Sequence, residues 1–303
     1  SALTDEGTYS FARGDVVANR LDLLTELDVV YKGWTGFRVS AAGWFDAAYD
    51  DTSESNPNLP LSAIPSYIGN EYSNYTKRFY RGASGEVLDA FAFANFDAGE
   101  VPVRLKAGRH TVFCGESLFL GGALHSGSYA QMPLDLQKGF ATPGVEAKEL
   151  FRPLNQLSGQ AQLTATLSVA AQYFLEWEAY RYPEGGTYLG PVDFAFNGPD
   201  RQFIPGLGFA ANGKAAEPDQ RGEYGVALRW SPEALDGTLG FYYRRYADKL
   251  PQALLTQRGA GVSRYNLIYA DDIDLFGVSL AKNIGGVSVG AEISHRRDTP
   301  LNA

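Results

Sequence analysis

The chain has 303 residues, 45% hydrophobic and 20% charged, with a net charge of −9. Eighteen Tyr, 18 Phe and 4 Trp are too many to leave solvated, which excludes disorder. The acidic balance, with only 8 lysines among 26 scattered cations, argues against nucleic-acid binding, and no run approaches the roughly 18 apolar residues of a membrane helix.

Period-2 alternation begins in residues 18–31, where odd positions from 21 onward read Leu, Leu, Thr, Leu, Val, Tyr. Residues 37–49 repeat it, with Phe, Val, Ala, Gly, Phe, Ala and Tyr against Arg38, Ser40, Ala42, Trp44, Asp46 and Ala48. Next come 87–96, with mixed faces, and 101–107, where Val, Val, Leu and Ala alternate with Pro102, Arg104 and Lys106. Residues 156–164 and 167–179 follow, then 224–230, 239–246, 275–282 and 287–295. Alternation of this kind predicts strands, ten in all, and several exceed the five or six residues usual in soluble folds. No segment over ten residues reads as an amphipathic helix. The fold class is all-β.

The links between these strands alternate in length. Short, turn-forming links fall at 32–35, 97–100, 165–166, 231–237 and 283–286, and long ones at 51–86, 114–155, 181–222 and 247–273. Such sorting predicts an antiparallel transmembrane β-barrel with short periplasmic turns and long outer loops. Apolar positions would then face lipid, with Tyr31, Tyr49, Tyr173, Trp177, Trp230 and Tyr243 as interfacial girdles. Glu26, Arg38, Arg104, Lys106, Gln172 and Glu176 would line a wet lumen. A soluble sandwich or lipocalin-like barrel is the competing fold, with those faces reversed. If the short turns are periplasmic, strand 18–31 runs inward with residues 1–17 outside, so an earlier strand is expected. We read residues 1–303 as a single barrel domain, part of a larger barrel, with 114–155 as an inserted segment.

Ala107-Gly108-Arg109 through Cys114-Gly115-Glu116-Ser117 resembles a Gly-Arg…Trp-Gly-Glu-Ser stretch of the proteobacterial family catalogued as domain of unknown function 1302. Residues 19–28, Pro133-Leu134-Asp135, Pro143-Gly144, Lys148-Glu149 with Pro153, and 272–280 are similar to its other motifs. The likeness covers most of residues 15–300, and 107–153 is its specific part. Cys114 stands where the family pattern has Trp. The resemblance implies an outer-membrane β-barrel of about twice this length, associated with lipid-exporting or hydrophobe-handling systems, with strands before and after this stretch.

Segment 114–155 carries six glycines, three prolines and the run Leu118-Phe119-Leu120. That apolar content favours packing, either as a constriction or plug inside the barrel or as an outer cap. Glu116, Asp135 and Glu149 could face Arg104, Lys106 and Arg109 across a lumen, setting selectivity, or satisfy one another structurally. His110 with Ser117 and Glu116 suggests a base–nucleophile pair, although no G-x-S-x-G elbow exists. Glu176 and Glu178 could form a glycosidase carboxylate pair but read better as lumen lining. Lys77, Arg78 and Arg81, on an aromatic-rich outer loop from 72 to 81, could hold lipopolysaccharide phosphates or cover a solvated loop tip. Cys114, the lone cysteine, excludes a disulfide framework, and the three spaced histidines give no metal motif.

The expected protein is a passive outer-membrane channel or transporter for small apolar or amphiphilic molecules in a Gram-negative bacterium. It would be no enzyme and need no cofactor. Its expected partners are membrane lipid, lipopolysaccharide, the small ligand and envelope transport proteins, without nucleic acid. A barrel-embedded esterase or lipase using His110 and Ser117 is the alternative, and a structural or adhesive barrel is another.

Overall fold

Alternation of side chains along the chain becomes one large antiparallel meander in the computed structural model. The structure describes residues 6–49, 66–112, 132–142, 145, 150–193, 196–204, 208–213, 215–258 and 261–299. Its strands are β1 (Arg20–Tyr31), β2 (Thr35–Asp46), β3 (Gly82–Ala98), β4 (Val101–His110), β5 (Leu154–Gln162), β6 (Leu167–Phe174) and β7 (Arg201–Ile204). They continue as β8 (Gly208–Asn212), β9 (Tyr224–Trp230), β10 (Gly237–Tyr246), β11 (Gln252–Arg258), β12 (Gly261–Ile268), β13 (Ile273–Ile284) and β14 (Val287–Arg297). Helices among the described residues are short: α1 (Glu6–Tyr9), α2 (Asn74–Tyr80) and α3 (Leu136–Ala141). None is long and apolar enough to cross a membrane.

Ten strands form one sheet in the order β1-β2-β3-β4-β5-β6-β9-β10-β13-β14. These are the ten read from the alternation. Every neighbouring pair is antiparallel. The sheet is open: β1 and β14 are its edges and do not pair with each other among the described residues.

Two boundaries differ from the sequence reading. Alternation suggested a strand to 179, but β6 stops at Phe174, one residue before a last bond from the Leu175 amide to the Asn155 carbonyl. The long links 181–222 and 247–273 also contain β7, β8, β11 and β12, which make a second, four-stranded sheet. Its β12–β8 contact is parallel and only two residue pairs long, too brief for a sequence pattern to reveal.

A meander places its links alternately at opposite ends. The short links therefore gather at one end, closed by backbones such as Gly285-Gly286, both at positive φ as a two-residue hairpin requires. All long links gather at the other end. There lies most of the buried apolar material, including Trp44, Tyr49, Tyr67, Tyr72, Phe79 and Tyr80 in one cluster. Residues 72–81 are thus not a loop tip. Ser73 caps α2 by accepting from the Thr76 amide, and Thr76, Phe79 and Tyr80 are buried. Tyr49 and Trp177 belong to this capped end rather than to an exposed girdle, at 7% and 2% exposure.

The two faces of the large sheet are inverted relative to a water-soluble fold. On one face the register aligns Leu27 with Val39, Val226 with Tyr243, and Phe241 with Val278. Val278 is next to Ile293. Apart from half-buried Tyr243, these side chains are exposed, Val278 at 48% and Ile293 at 81%. The opposite face carries polar groups that are buried, among them Ser40, Gln156, Gln172, Arg244 and Ser279. Burial here follows the polar side of the alternation.

Candidate functional site

Polar-face residues of β4, β5, β6, β9 and β10 surround a cavity of about 360 Å³. Arg104 and Lys106 reach it from β4, Gln160 and Gln172 from β5 and β6, Arg229 and Arg244 from β9 and β10. Register explains the grouping. Lys106 lies beside Ser158, Ser158 beside Gln172, Gln172 beside Gly225, and Gly225 beside Arg244. One row, five strands wide, thus shares one face. The Gln172 amide, turned with its oxygen toward Arg244, accepts from both Nη atoms at 2.8 Å. Lys106 Nζ sits 5.0 Å from the centre of the Phe91 ring.

A smaller cavity of about 130 Å³ adjoins it across Lys106 and contains Glu26, Arg38, Ser40, Asp89 and His110. Arg38 is held by Asp28 through a two-pronged pair at 2.7 and 2.8 Å. His110 is 1% exposed. Its Nε2 lies 2.7 Å from Ser158 Oγ and its Nδ1 2.9 Å from the Gly108 carbonyl. The described residues therefore engage both ring nitrogens. Glu116 and Ser117, the other members of the suggested base–nucleophile group, lie outside the described residues, as do Cys114 and Glu149.

The remaining predicted residues lie elsewhere. Among the described residues the cation paired with Asp135 is Arg181. Asp135 caps α3 through the Lys138 amide and accepts from Arg181, whose other Nη donates to Glu86 at 2.9 Å. The Arg181 guanidinium also covers the Phe79 ring at 4.1 Å. Glu176 follows the end of β6 and binds Arg109 Nη1 at 2.8 Å and the Asn155 amide at 2.9 Å. It is not in the lining of either cavity. Glu178 joins Arg109 to Arg152, so these carboxylates are committed to cations. Lys77 pairs with Glu71 at 3.3 Å, Arg78 donates to Ser84 at 3.3 Å, and exposed Arg81 closes α2. These three cations share one helix end beside β3.

Part of the 114–155 segment lies across the long-link end of the sheet. Gln137, Lys138 and Phe140 bound a third cavity with Trp44, Glu86 and Arg181. Lys138 Nζ approaches Asp22 of β1 at 4.0 Å. Beneath this cap Glu184 is 1% exposed, and burial pushes its carboxyl up to about 8. Gly198 donates its amide to Glu184 Oε2, and the Glu184 amide donates to the Tyr80 hydroxyl at 3.1 Å. Lys249 is wholly buried, which lowers its ammonium, and its Nζ lies 3.3 Å from Glu223 and over the Trp177 ring.

Sequence reasoning missed Arg229, Arg244 and Arg181. The first two were legible, since they alternate with Trp230 and Tyr243 and so oppose the apolar face. Arg181 carries no periodic signal, because its place depends on Asp135 and Glu86, both more than 40 residues away in sequence.

The family described as "Protein of unknown function (DUF1302)" has a model matching residues 1–303, and the chain belongs to this family. Among curated proteins none matches the chain. Among the described residues no group of three or more His, Cys, Asp or Glu side chains is placed to hold a metal.

Proposed function

We propose that this chain forms wall and outer cap of an outer-membrane β-barrel that passes small molecules. The observation carrying the reading is the inverted sheet. Many of its apolar side chains are exposed while Ser40, Gln156, Gln172, Arg244 and Ser279 on the other face are enclosed, an arrangement favoured when the outer solvent is hydrocarbon. Aromatic order supports it. Tyr224, Tyr243 and Phe276 form a continuous row on the apolar face, with ring centres 5.9 and 5.1 Å apart. Immediately beyond that row the same face turns charged, with Arg245 paired to Asp272 at 2.8 Å and Arg297 near Phe276. Trp230, Tyr31, Trp34 and Phe96 stand exposed at the short-turn end. Rings at both borders match an interfacial belt. β10 has ten residues, and ten residues rising ~3.3 Å each and tilted ~40° span about 25 Å, the height of an outer-membrane apolar band.

In hydrocarbon every backbone group must be paired, so the reading requires β1 and β14 each to gain a partner strand. The polar face then encloses the path, and segment 132–142 narrows its outer end against Arg181 and Asp22. Lys77, Arg78 and Arg81 are the cations nearest an outer leaflet of lipopolysaccharide. The test is planar-bilayer conductance of the purified, refolded protein, with deletion of residues 132–142 expected to raise the unit conductance. An impermeable bilayer with correctly inserted protein would refute the channel.

The esterase reading requires His110 to give up Ser158, which its Nε2 meets at 2.7 Å, in favour of Ser117. It predicts hydrolysis of a p-nitrophenyl ester that vanishes in Ser117→Ala. Hydrolysis persisting in that variant removes Ser117 as nucleophile.

A further inference from the structure

On the polar face the middle strands carry cations and the flanking strands carry the carboxylates. Its strand carboxylates lie to either side of the middle strands: Asp22, Glu26, Asp28, Asp46, Glu86 and Asp89 on β1–β3, and Glu292 on β14. The cavity between β4 and β10 has four cations in its lining and no carboxylate. This contrasts with a chain of net charge −9.

The cavity is shaped by small residues. Ala170 pairs with Ala227 across β6 and β9, and with Gly225 they leave the middle of the face low. Arg104 and Lys106 rise on one side, Tyr242 and Arg244 on the other. The cations are also staggered along the strand direction. Lys106 and Arg244 share the row nearest the capped end, Arg104 belongs to the next row, and Arg229 to the row nearest the short turns. Rows on one face are spaced by two residues, about 6.6 Å, so the charges form steps over roughly 13 Å.

Arg104 and Arg229 have no carboxylate partner among the described residues, whereas Lys106 lies over the Phe91 ring and interacts with Asp89 across the smaller cavity. Arg104 and Arg229 are exposed along this groove; guanidinium groups without counter-charge favour anions, and a planar carboxylate matches their paired N–H groups. Gln160, Gln172 and Ser168 add neutral donors, while the alanine floor admits hydrocarbon or an aromatic ring. A cavity of about 360 Å³ is at the small end of organic-ligand sites.

We propose that this groove is a binding track for small organic carboxylates, handed from Lys106 and Arg244 through Arg104 to Arg229. The proposal rests on the barrel reading for transit, but not for binding. Its test uses two measurements on the refolded protein, with Arg104→Glu/Arg229→Glu and the milder Arg104→Gln/Arg229→Gln. In bilayers under a KCl gradient, the reversal potential should show chloride preferred over potassium, and the Glu pair should reverse its sign. In detergent, calorimetry should show benzoate binding and benzamide failing to bind. The Gln pair should lose about tenfold or more in benzoate affinity, as removal of charge-assisted hydrogen bonds implies. Conductance that is cation-selective, or unmoved by the Glu pair, overturns the track while leaving the channel intact. Benzoate binding without conductance keeps the site and removes the channel. Equal affinity for benzoate and benzamide overturns the site.

Discussion

Val278→Arg tests the inverted sheet most directly. Val278 lies midway along β13, is 48% exposed, and is flanked by Phe241 and Ile293 in register. If this face meets hydrocarbon, an arginine near the midplane costs about 2–4 kcal/mol, a roughly 30- to 1000-fold fall in the folded-to-unfolded ratio. If the face meets water, an exposed Val→Arg change stays within about 0.5 kcal/mol. Ile284→Arg is the depth control. It has similar exposure, 58%, but ends β13 beside the Gly285-Gly286 turn, where the bilayer reading allows only ~0–1 kcal/mol. Reversible urea titration of protein folded into short-chain phosphatidylcholine vesicles, followed by tryptophan emission, gives both values. Equal effects at 278 and 284 would refute the hydrocarbon assignment, because water-exposed sites have no depth.

Four further outcomes follow from the same geometry. Glu184 binds its proton more tightly when folded, so between its ordinary value and about 8 the folded cap holds one proton more. Cap stability should fall by about 1.4 kcal/mol per pH unit rising through that window and level off above it. Amide exchange of residues 180–200 at pH 5 and 8.5 checks this, and Glu184→Gln should flatten the profile. Arg181→Ala strands the buried Asp135 and Glu86 carboxylates, costing about 3–5 kcal/mol. Faster proteolysis at 132–142 should report it, whereas an unchanged rate shows that the pair does not hold this segment. Gly108→Ala meets a backbone at φ +119° and places a Cβ 2.4 Å from the Ala90 carbonyl oxygen, so a loss above roughly 1 kcal/mol is expected. Urea midpoints matching the unsubstituted protein would contradict that contact. Tyr243→Ala removes two ring neighbours from the aromatic row and should cost about 1 kcal/mol in vesicles; no loss there would detach the row from the membrane border.

Ten strands and their order were readable because period-2 patterning survives whatever the sheet packs against. Leu27 opposite Val39 and Arg38 opposite Asp28 follow from counting residues back from a short turn. The same count places Arg229 and Arg244 beside Arg104, although strand-end aromatics drew attention first. By contrast, β7, β8, β11 and β12 are short pieces inside long links, and β6 ended five residues before the alternation did.

What the residues determined alone was which side chains share a face and which links share an end, because both are set by local backbone period. Tertiary structure decided which face is enclosed. It also drew Asp135, Glu86 and Arg181 together and committed Glu176 to Arg109. Those outcomes rest on contacts between distant segments, where ion pairing and burial compete, and no local period encodes them.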